Sequence, residues 1–260
     1  MFSIFLLKIH VMNIWILLPC FNELPNVRNL IKDINKNIIL NTYNVKIVII
    51  DDGSTDGIGK EFKKFSLYKK NKFFYIKHNV NKGLAITLNT GFNFILRKSS
   101  KDEDIIITMD ADCTHPITYI HRMVKKIEDG NDIVIASRFE KKSRVVGLSL
   151  FRVILSNAAS YIYRYSFRAG IKEFTCNFRA YKFALIKKSF SINSKFISET
   201  GFVCIPDILL KILKKNKNIK IAEVPFVLRY NLKQGESKII IFSTIFKTLF
   251  LILKRKLINT

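Results

Sequence analysis

The sequence has 260 residues, of which 48% are hydrophobic and 25% charged, and 44 Lys and Arg outnumber 20 Asp and Glu to give a net charge of +24. This length and composition exclude a disordered chain and suit one α/β domain with additions. The basic excess favours a polyanionic partner, such as an anionic membrane surface or a phosphate-bearing ligand. Nucleic acid is not expected, because the basic residues are scattered along the chain and form no Arg-rich tract.

Strand-like apolar runs alternate with segments of helical periodicity in the first half of the chain. The runs that predict strands cover residues 13–18, 45–52, 73–78, 104–110 and 132–138. Between them, the apolar spacing and the terminal signals predict helices over residues 24–37, 56–70, 83–96 and 116–130. The alternation predicts an α/β fold with a mostly parallel sheet and helices on both faces.

The apolar N-terminus is interpreted as a short extension. It has neither the basic start nor the small-residue cleavage site of a signal peptide. Lys8 and His10 interrupt it, so no apolar run is long enough to span a bilayer. We expect an extension over residues 1–11, a main domain over residues 12–238 and a terminal helix over residues 239–260.

The second half of the chain is less regular. It predicts helices over residues 147–169 and 200–215, a loop or short strand over residues 175–182, and a strand over residues 220–230. The final helix is apolar on nearly every face and ends in Lys254, Arg255 and Lys256. We interpret it as an interfacial helix on a membrane surface. The alternative is a helix that docks on its own domain or on a second subunit.

The four cysteines are far apart in the sequence and form no CxxC pair: Cys20, Cys113, Cys176 and Cys204. This spacing favours neither a zinc site nor a disulfide framework. A reducing, cytoplasmic compartment is therefore expected.

Acidic residues follow several of the predicted strands, at the positions where ligands bind to open α/β sheets. The residues at these strand ends are Asn22, Glu23, Asp51, Asp52, Asp56, Asp110, Asp112 and Arg138. Carboxylates gathered at one edge repel each other unless a cation joins them. The Asp-x-Asp pair of residues 110–112 puts two carboxylates on the same side of an extended chain, and Mg²⁺ or Mn²⁺ takes such oxygens together with phosphate oxygens. The pattern predicts a metal that holds a diphosphate, with Asp52 accepting from a base or ribose.

Two other nucleotide-binding architectures lack their signatures. A dinucleotide-dependent dehydrogenase requires a glycine-rich turn after the first strand, and this turn reads PCFNELPN. A P-loop is also missing from the sequence.

Five segments, LLPCFNE, VIIDDGSTDG, NKGLAITLNTGF, MDADCTHP and IVIASRF, occur in an order and at spacings that resemble the family 2 glycosyltransferases of GT-A fold. Two later segments, EFTCNFRAYK and EVPFVLRYNLKQGESKI, are similar to the polyprenyl-phosphate branch typified by dolichol-phosphate mannose synthases. The resemblance covers roughly residues 13–240.

The resemblance implies roles for individual residues. It implies a nucleotide-sugar site made by Pro19, Phe21, Glu23, Ile50, Asp52, Asp110, Ala111 and Asp112. It also implies that Asp110 and Asp112 coordinate Mg²⁺ or Mn²⁺, and that Arg138 contacts the donor diphosphate or the acceptor phosphate. The lipid phosphate would face Arg152, Arg229 and Lys238.

The chain departs from the pattern of the branch at several positions. Phe21 stands where Tyr is common, and Thr114 stands where a polar amide often follows the second metal Asp. The usual G-W-P is GLS at residues 147–149, and T-S-G-F-R is TCNFR with Cys176 and Asn177. These changes leave the sugar and the lipid open.

The sequence near Thr200, SETGFVCIPDILL, contains Glu199 and Asp207 but no adjacent acidic pair to act as a general base. A phosphate monoester needs no base, because it is largely ionised at pH 7. We therefore expect inverting transfer of mannose or glucose from a nucleotide diphosphate sugar to a polyprenyl or dolichyl phosphate, at the cytoplasmic face of a membrane. The alternatives are single addition to a sugar hydroxyl, with Glu199 or Asp207 as base, and an inactive nucleotide-sugar-binding protein.

Overall fold

The computed structural model describes residues 12–37, 42–68, 72–192, 196–233 and 241–257. The predicted N-terminal extension, Lys238 and the predicted boundary between the main domain and the terminal helix lie outside these ranges. The strands are β1 Asn13–Cys20, β2 Asn44–Asp51, β3 Phe73–Lys77, β4 Ile105–Thr108, β5 Ile133–Ser137, β6 Arg144–Val146, β7 Arg179–Lys182, β8 Ile221–Pro225 and β9 Val227–Arg229. The α-helices are α1 Leu24–Lys36, α2 Ile58–Tyr68, α3 Leu84–Lys98, α4 Ile120–Glu128, α5 Leu150–Phe167, α6 Phe183–Ser189, α7 Cys204–Lys215 and α8 Ile241–Leu257.

In the described part of the chain the strands form a seven-stranded sheet of order β3-β2-β1-β4-β7-β5-β8 and a small parallel pair of β6 with β9. Every neighbour in the large sheet is parallel except β7, which is antiparallel to β4 and to β5. Two antiparallel pairings in succession leave β5 pointing in the same direction as β4. The carboxyl ends of β1, β2, β4, β5 and β8 therefore meet at one edge, which confirms the predicted α/β architecture.

Hydrophobic clusters cover both faces of the sheet. In β1 the side chains alternate, so that Ile14, Ile16 and Leu18 face one cluster while Trp15 and Leu17 face the other. The first cluster includes the apolar stripes of α1 and α4, and the second includes those of α3 and α7. The central strands are thus buried on both sides, which explains their unbroken apolar runs.

Gly91 lets α3 approach the sheet closely. A Cβ atom at this position would lie 2.2 Å from Cδ1 of Leu17 on β1. Glycine in a helix interior costs about 1 kcal/mol relative to alanine, so its presence is explained by this close contact.

One predicted strand is divided in the structure. Residues 220–230 form β8 in the large sheet and β9 in the small one, separated at Phe226. Pro225, at the end of β8, has no N–H with which to extend the ladder. The break carries the chain from the large sheet to the edge where the carboxyl ends meet.

The predicted C-terminal helix is present as α8, and it docks on its own domain. Thr248, Leu251 and Ile252 are buried, and the helix packs against α5 and the 3₁₀ turn Gly201–Val203. Its outer side remains apolar, with Phe246 73% and Leu257 74% exposed. Among the described residues, no helix combines the length and the apolar content that crossing a membrane requires.

Asp104 is fully buried and joins the start of β1 to the start of β4. Its carboxylate accepts from the main-chain N–H of Asn13 at 2.8 Å, from the amide of Asn13 at 2.9 and 3.0 Å, and from Nε1 of Trp15 at 3.2 Å. The hydroxyl of Ser99 is a further donor. The carboxylate therefore satisfies several buried donors at once.

We expect Asp104→Ala to lower the free energy of unfolding by about 3 kcal/mol, because it leaves these buried donors without an acceptor. Urea denaturation monitored by circular dichroism measures the loss. Asp102→Ala is the matched control, since Asp102 forms an exposed ion pair with Lys187 at 3.0 Å and should change stability by less than about 1 kcal/mol. Equal losses in the two variants would contradict the assignment.

Candidate functional site

Asp110 and Asp112 follow β4 at the edge where the carboxyl ends of the strands meet. The side chain of Asp110 is 36% exposed, and its Oδ1 accepts from Nδ2 of Asn177 at 3.0 Å. This contact follows from strand register, because Thr108 pairs with Arg179 and the antiparallel continuation sets Asp110 opposite Asn177. Burial, together with the negative charge of Asp112, raises the pKa of Asp110.

His115 supports Asp110 from the protein interior. Its Nδ1 accepts the main-chain N–H of Asp110 at 3.1 Å, so in the neutral ring the proton resides on Nε2. That nitrogen lies 3.9 Å from Oδ2 of Asp110 and 3.9 Å from Sγ of Cys176. The ring stacks on Phe178 at a centroid distance of 5.2 Å. No role was predicted for His115 from the sequence, although its place three residues after Asp112 was a signal.

Asp112 is held by its own loop and by a distant lysine. Its Oδ1 accepts from the hydroxyl of Thr114 at 2.7 Å and from the main-chain N–H of Thr114 at 3.2 Å. Its Oδ2 lies 2.7 Å from Nζ of Lys233, and both side chains are nearly buried. Burial acts to raise the pKa of Asp112, but the ammonium of Lys233 outweighs it and the pKa lies below the usual aspartate range.

The two carboxylates suit a hard divalent cation in charge and in ligand type. Asp112 already pairs with a cation, and the charge of Asp112 disfavours ionisation of Asp110, so a cation between them would relieve a repulsion. Thr114 directs its hydroxyl to Asp112, which leaves it unsuited to replace the missing amide. No group of three or more His, Cys, Asp and Glu side chains in the described ranges is arranged as a metal cage.

The loops after β1 and β2 are hydrogen-bonded to each other on the side of the site where the nucleotide was predicted to bind. The main-chain N–H of Asn22 donates to Ser54 at 2.9 Å, and Oδ1 of Asn22 accepts from the N–H of Thr55 at 2.9 Å. Asn22 has a φ of 52°, a left-handed conformation that asparagine tolerates. Pro19 and Phe21 are partly exposed beside this junction. Glu23 is nearly buried and accepts from Asn26 at 2.5 Å.

Asp52 and Ile50 are buried at the carboxyl end of β2. The oxygens of Asp52 accept from Nδ1 of His78 at 2.7 Å, the N–H of Lys82 at 2.9 Å and the N–H of Gly83 at 2.7 Å. Ile50 is 0% exposed within the cluster on the α3 side. In this structure Asp52 positions a loop and Ile50 belongs to the core, and the contacts of both residues with base or ribose stay predictions. Ala111 is also nearly buried.

Arg138 is paired with an acidic residue that the sequence analysis did not identify. Its Nε and Nη2 donate to Glu173 at 2.7 and 2.9 Å, Nη1 donates to Ser156 at 2.8 Å, and Nη2 donates to Thr175 at 2.6 Å. Burial acts to raise the pKa of Glu173, but the guanidinium outweighs it and the pKa lies below the usual glutamate range. Arg138 thus braces the end of β5 against α5 and residues 173–175, and its contact with a phosphate stays a prediction.

Of the predicted acceptor cations, Arg229 contacts the loop of the two aspartates through its main chain, and Arg152 contacts the neighbouring Tyr230. Nη1 of Arg152 donates to the hydroxyl of Tyr230 at 3.1 Å, and the main-chain N–H of Arg229 donates to the carbonyl of Thr114 at 3.0 Å. Gly147, with a φ of 82°, packs against Asn231 so closely that a Cβ would lie 2.6 Å from its nitrogen. This explains the glycine that precedes Arg152. Lys238 lies outside the described residues.

Glu199 and Asp207, the candidate bases, form ion pairs with neighbouring cations. Oε1 of Glu199 lies 2.7 Å from Nζ of Lys254. Asp207 is buried, and its Oδ1 lies 2.5 Å from Nη2 of Arg255 while its Oδ2 lies 3.0 Å from Nζ of Lys211. A carboxylate has further acceptor sites beside those used by its cation, so both residues stay candidate bases.

Comparisons with known proteins agree on one family. The family model described as Glycosyl transferase family 2 matches residues 15–192. Dolichol-phosphate mannosyltransferase of Pyrococcus furiosus is 30% identical over 230 residues, which cover 88% of this chain and 59% of that protein. Polyprenol monophosphomannose synthase of Mycolicibacterium smegmatis is 25% identical over 211 residues, which cover 81% of this chain and 75% of that protein.

A solved structure shares the fold. Glucosyl-3-phosphoglycerate synthase from Mycobacterium tuberculosis, in complex with Mn²⁺, uridine diphosphate and glucosyl-3-phosphoglycerate, aligns with a TM-score of 0.62 at 17% identity. The alignment covers 94% of this chain and 80% of that one. The expected GT-A fold is therefore confirmed.

We expect Arg138→Ala to lower the free energy of unfolding at pH 7 by about 3–5 kcal/mol, because it leaves Glu173 buried and unpaired. The pKa of Glu173 is lower in the folded chain than the value of about 4.3 in the unfolded chain, so the ionised carboxylate contributes its full stabilisation above about pH 4.3. This contribution is lost as the pH falls through the pKa of the folded chain. In the variant, burial raises that pKa, so the loss in stability shrinks toward pH 4. Urea denaturation at both pH values measures the difference.

The double variant Arg138→Ala/Glu173→Gln serves as the control for this pair. It removes the unpaired charge and should recover part of the stability at pH 7. If Arg138→Ala unfolds like the wild type at both pH values, the bracing role is wrong.

Proposed function

The chain belongs to glycosyl transferase family 2, and from this we propose that it transfers a hexose, mannose or glucose, from a nucleotide diphosphate sugar to a polyprenyl phosphate with inversion at the anomeric carbon. The observation that carries the proposal is the arrangement of Asp110 and Asp112 at the carboxyl edge of the sheet, with the main chain of Arg229 hydrogen-bonded to their loop and Arg152 in contact with Tyr230. One side of this site suits a metal and a diphosphate, and the other suits an anionic acceptor.

Asp110 and Asp112 would hold Mg²⁺ or Mn²⁺, which when bound supplies the positive charge that stabilises a departing nucleoside diphosphate. Asn177 and His115 keep Asp110 oriented toward this position, and Thr114 does the same for Asp112. The mycobacterial structures that share the fold were crystallised with Mn²⁺ or Mg²⁺ and uridine diphosphate, which supports a divalent ion here.

Pro19, Phe21 and Glu23 would line the nucleotide side of the site. Phe21 offers an aromatic ring but no hydroxyl, so it would bind the nucleotide by stacking and not by hydrogen bonding. The junction of Asn22 with Ser54 and Thr55 makes this side rigid. A rigid pocket reduces the entropy lost when the donor binds.

The acceptor side suits a ligand that is already ionised and can attack without a general base. A phosphate monoester is largely dianionic at pH 7 and attacks without losing a proton to the protein. Arg152 and Arg229 would position its oxygens by charge-assisted hydrogen bonds. The names of the two relatives support this acceptor over a hydroxyl.

The second candidate is single addition to a hydroxyl of a saccharide or another small acceptor. The shared fold of glucosyl-3-phosphoglycerate synthase favours it. This reaction requires Glu199 or Asp207 to act as the general base.

Apolar side chains on the outer faces of α5 and α8 support peripheral binding at the cytoplasmic face of a membrane. The two helices pack against each other and expose Leu150, Phe151, Ile154, Tyr161, Tyr165, Phe246, Phe250, Leu253 and Leu257. Lys256, exposed at the end of α8, adds attraction to anionic headgroups. Because Arg152 lies in the first turn of α5, a lipid phosphate bound there would have its chain beside this apolar surface.

We expect label to enter the organic phase when the purified protein receives a radiolabelled donor, Mg²⁺ or Mn²⁺ and a polyprenyl phosphate, because the lipid phosphate is the nucleophile. Donors such as GDP-mannose and UDP-glucose are offered in separate reactions, each with and without the lipid, and the active donor identifies the sugar. Transfer to a saccharide would instead favour the second candidate. Donor binding without any transfer would indicate an inactive nucleotide-sugar-binding protein.

Asp112→Asn is the control for this assay. It should abolish transfer while leaving the circular dichroism spectrum unchanged, because the amide cannot supply the negative charge. Normal transfer by this variant would contradict the metal assignment.

We expect Arg229→Ala to raise the KM for the polyprenyl phosphate about tenfold or more, while the KM for the donor changes little, because a charge-assisted hydrogen bond to the acceptor is lost. Arg144→Ala is the matched control, since Arg144 is an exposed cation on β6, which pairs with β9. An equal change in both variants, or a change confined to the donor, would argue against an acceptor role for Arg229.

A further inference from the structure

Lys233 contacts the oxygen of Asp112 that a metal would use. Oδ1 of Asp112 is committed to Thr114, and Oδ2 lies 2.7 Å from Nζ of Lys233. The exposed fractions of the two side chains are only 12% and 11%. A Mg²⁺ ion at its usual distance of about 2.1 Å from Oδ2 would lie at most about 5 Å from the ammonium, so the two cations would repel each other strongly.

The same lysine belongs to a segment that reaches the acceptor side. Nζ of Lys233 lies 5.7 Å from the centre of the Tyr230 ring, and the hydroxyl of Tyr230 accepts from Arg152. At the other end of the segment, the N–H of Arg229 donates to the carbonyl of Thr114. Residues 229–233 are therefore attached to the aspartate loop twice, once through main-chain atoms and once through the ion pair of Lys233.

We propose that Lys233 is an internal counter-cation that competes with the divalent metal for Asp112, so that metal binding releases residues 230–233 and alters the contact between Tyr230 and Arg152. The proposal rests on the proposed metal-binding role of Asp110 and Asp112. Metal binding on the donor side would then change the position of Tyr230 and Arg152 on the acceptor side, because the ion pair of Lys233 with Asp112 is either formed or broken. The order in which metal and acceptor bind then depends on Lys233.

Direct measurement of Mn²⁺ binding tests the competition without catalysis. The free Mn²⁺ signal is followed by electron paramagnetic resonance during titration of the full chain without donor. If the ion pair is formed about nine-tenths of the time, Lys233→Met should bind Mn²⁺ about tenfold more tightly than the wild type. Lys233→Arg keeps the charge and should remain close to the wild type.

Lys77→Met is the matched control for removal of a positive charge at the same edge. Lys77 is the last residue of β3 and donates to the carbonyl of Ser54 at 3.0 Å. Two strands, β2 and β1, separate β3 from β4, which the two aspartates follow. Its replacement should change the Mn²⁺ affinity by less than about twofold, because exposed charges at longer range are screened by salt. A similar gain in Lys77→Met and Lys233→Met would overturn the proposal, since the effect would then be general electrostatics.

Hydrogen exchange supplies a second readout for the released segment. Peptides that cover residues 227–233 should exchange faster after Mn²⁺ is added to the wild type, and should exchange fast with or without Mn²⁺ in Lys233→Met. Unchanged exchange in the wild type overturns the coupling while the proposed function stands. If neither the wild type nor Lys233→Met binds Mn²⁺, the metal-binding role of the aspartates fails and the inference fails with it.

Discussion

Two carboxylates one residue apart at the end of β4 repel each other, and much of the surrounding structure stabilises them. Asn177 donates to Asp110, Thr114 donates to Asp112, and Lys233 brings a full positive charge to within 2.7 Å of Asp112. This stabilisation is uneven, because Asp112 has an ammonium partner whereas Asp110 has a neutral amide partner. A site with one carboxylate paired and the other disfavoured as an anion is suited to receive a cation.

The cations near the site divide into those that stabilise the protein and those that face outward. Arg138 pairs with buried Glu173, and Arg255 pairs with buried Asp207, so both compensate charges that would otherwise be costly to bury. Arg229 is exposed on β9 beside the aspartate loop. Under the proposed function, this division favours Arg229 as the side chain that meets an anionic acceptor, whereas Arg138 braces the end of β5 and its contact with a phosphate stays a prediction.

The helix α5 joins the site to the apolar surface of the molecule. Its first turn carries Arg152, which contacts Tyr230, and the same turn exposes Leu150 at 75% and Phe151 at 61%. Under the proposed function, a polyprenyl phosphate would use both features at once, with its phosphate at the cations and its chain along the apolar face. A small hydrophilic acceptor would have no use for that face.

Local patterns were enough to predict the alternating elements, the α/β class and the meeting of acidic strand ends, because buried parallel strands need apolar runs and their carboxyl ends share one edge. The Asp110/Asp112 motif was also recognisable in the sequence, since side chains at positions i and i+2 lie on the same side of an extended chain. The contacts of Asn177 and Lys233 with the two aspartates could not be predicted in this way. Asn177 reaches Asp110 only because β7 inserts antiparallel in register with β4, and Lys233 reaches Asp112 across 121 residues along the chain. Such contacts depend on register and on the path of the loops, and no local periodicity encodes either. For the same reason, local patterns did not show that the folded chain buries Ile50 in the core and uses Asp52 to hold a loop.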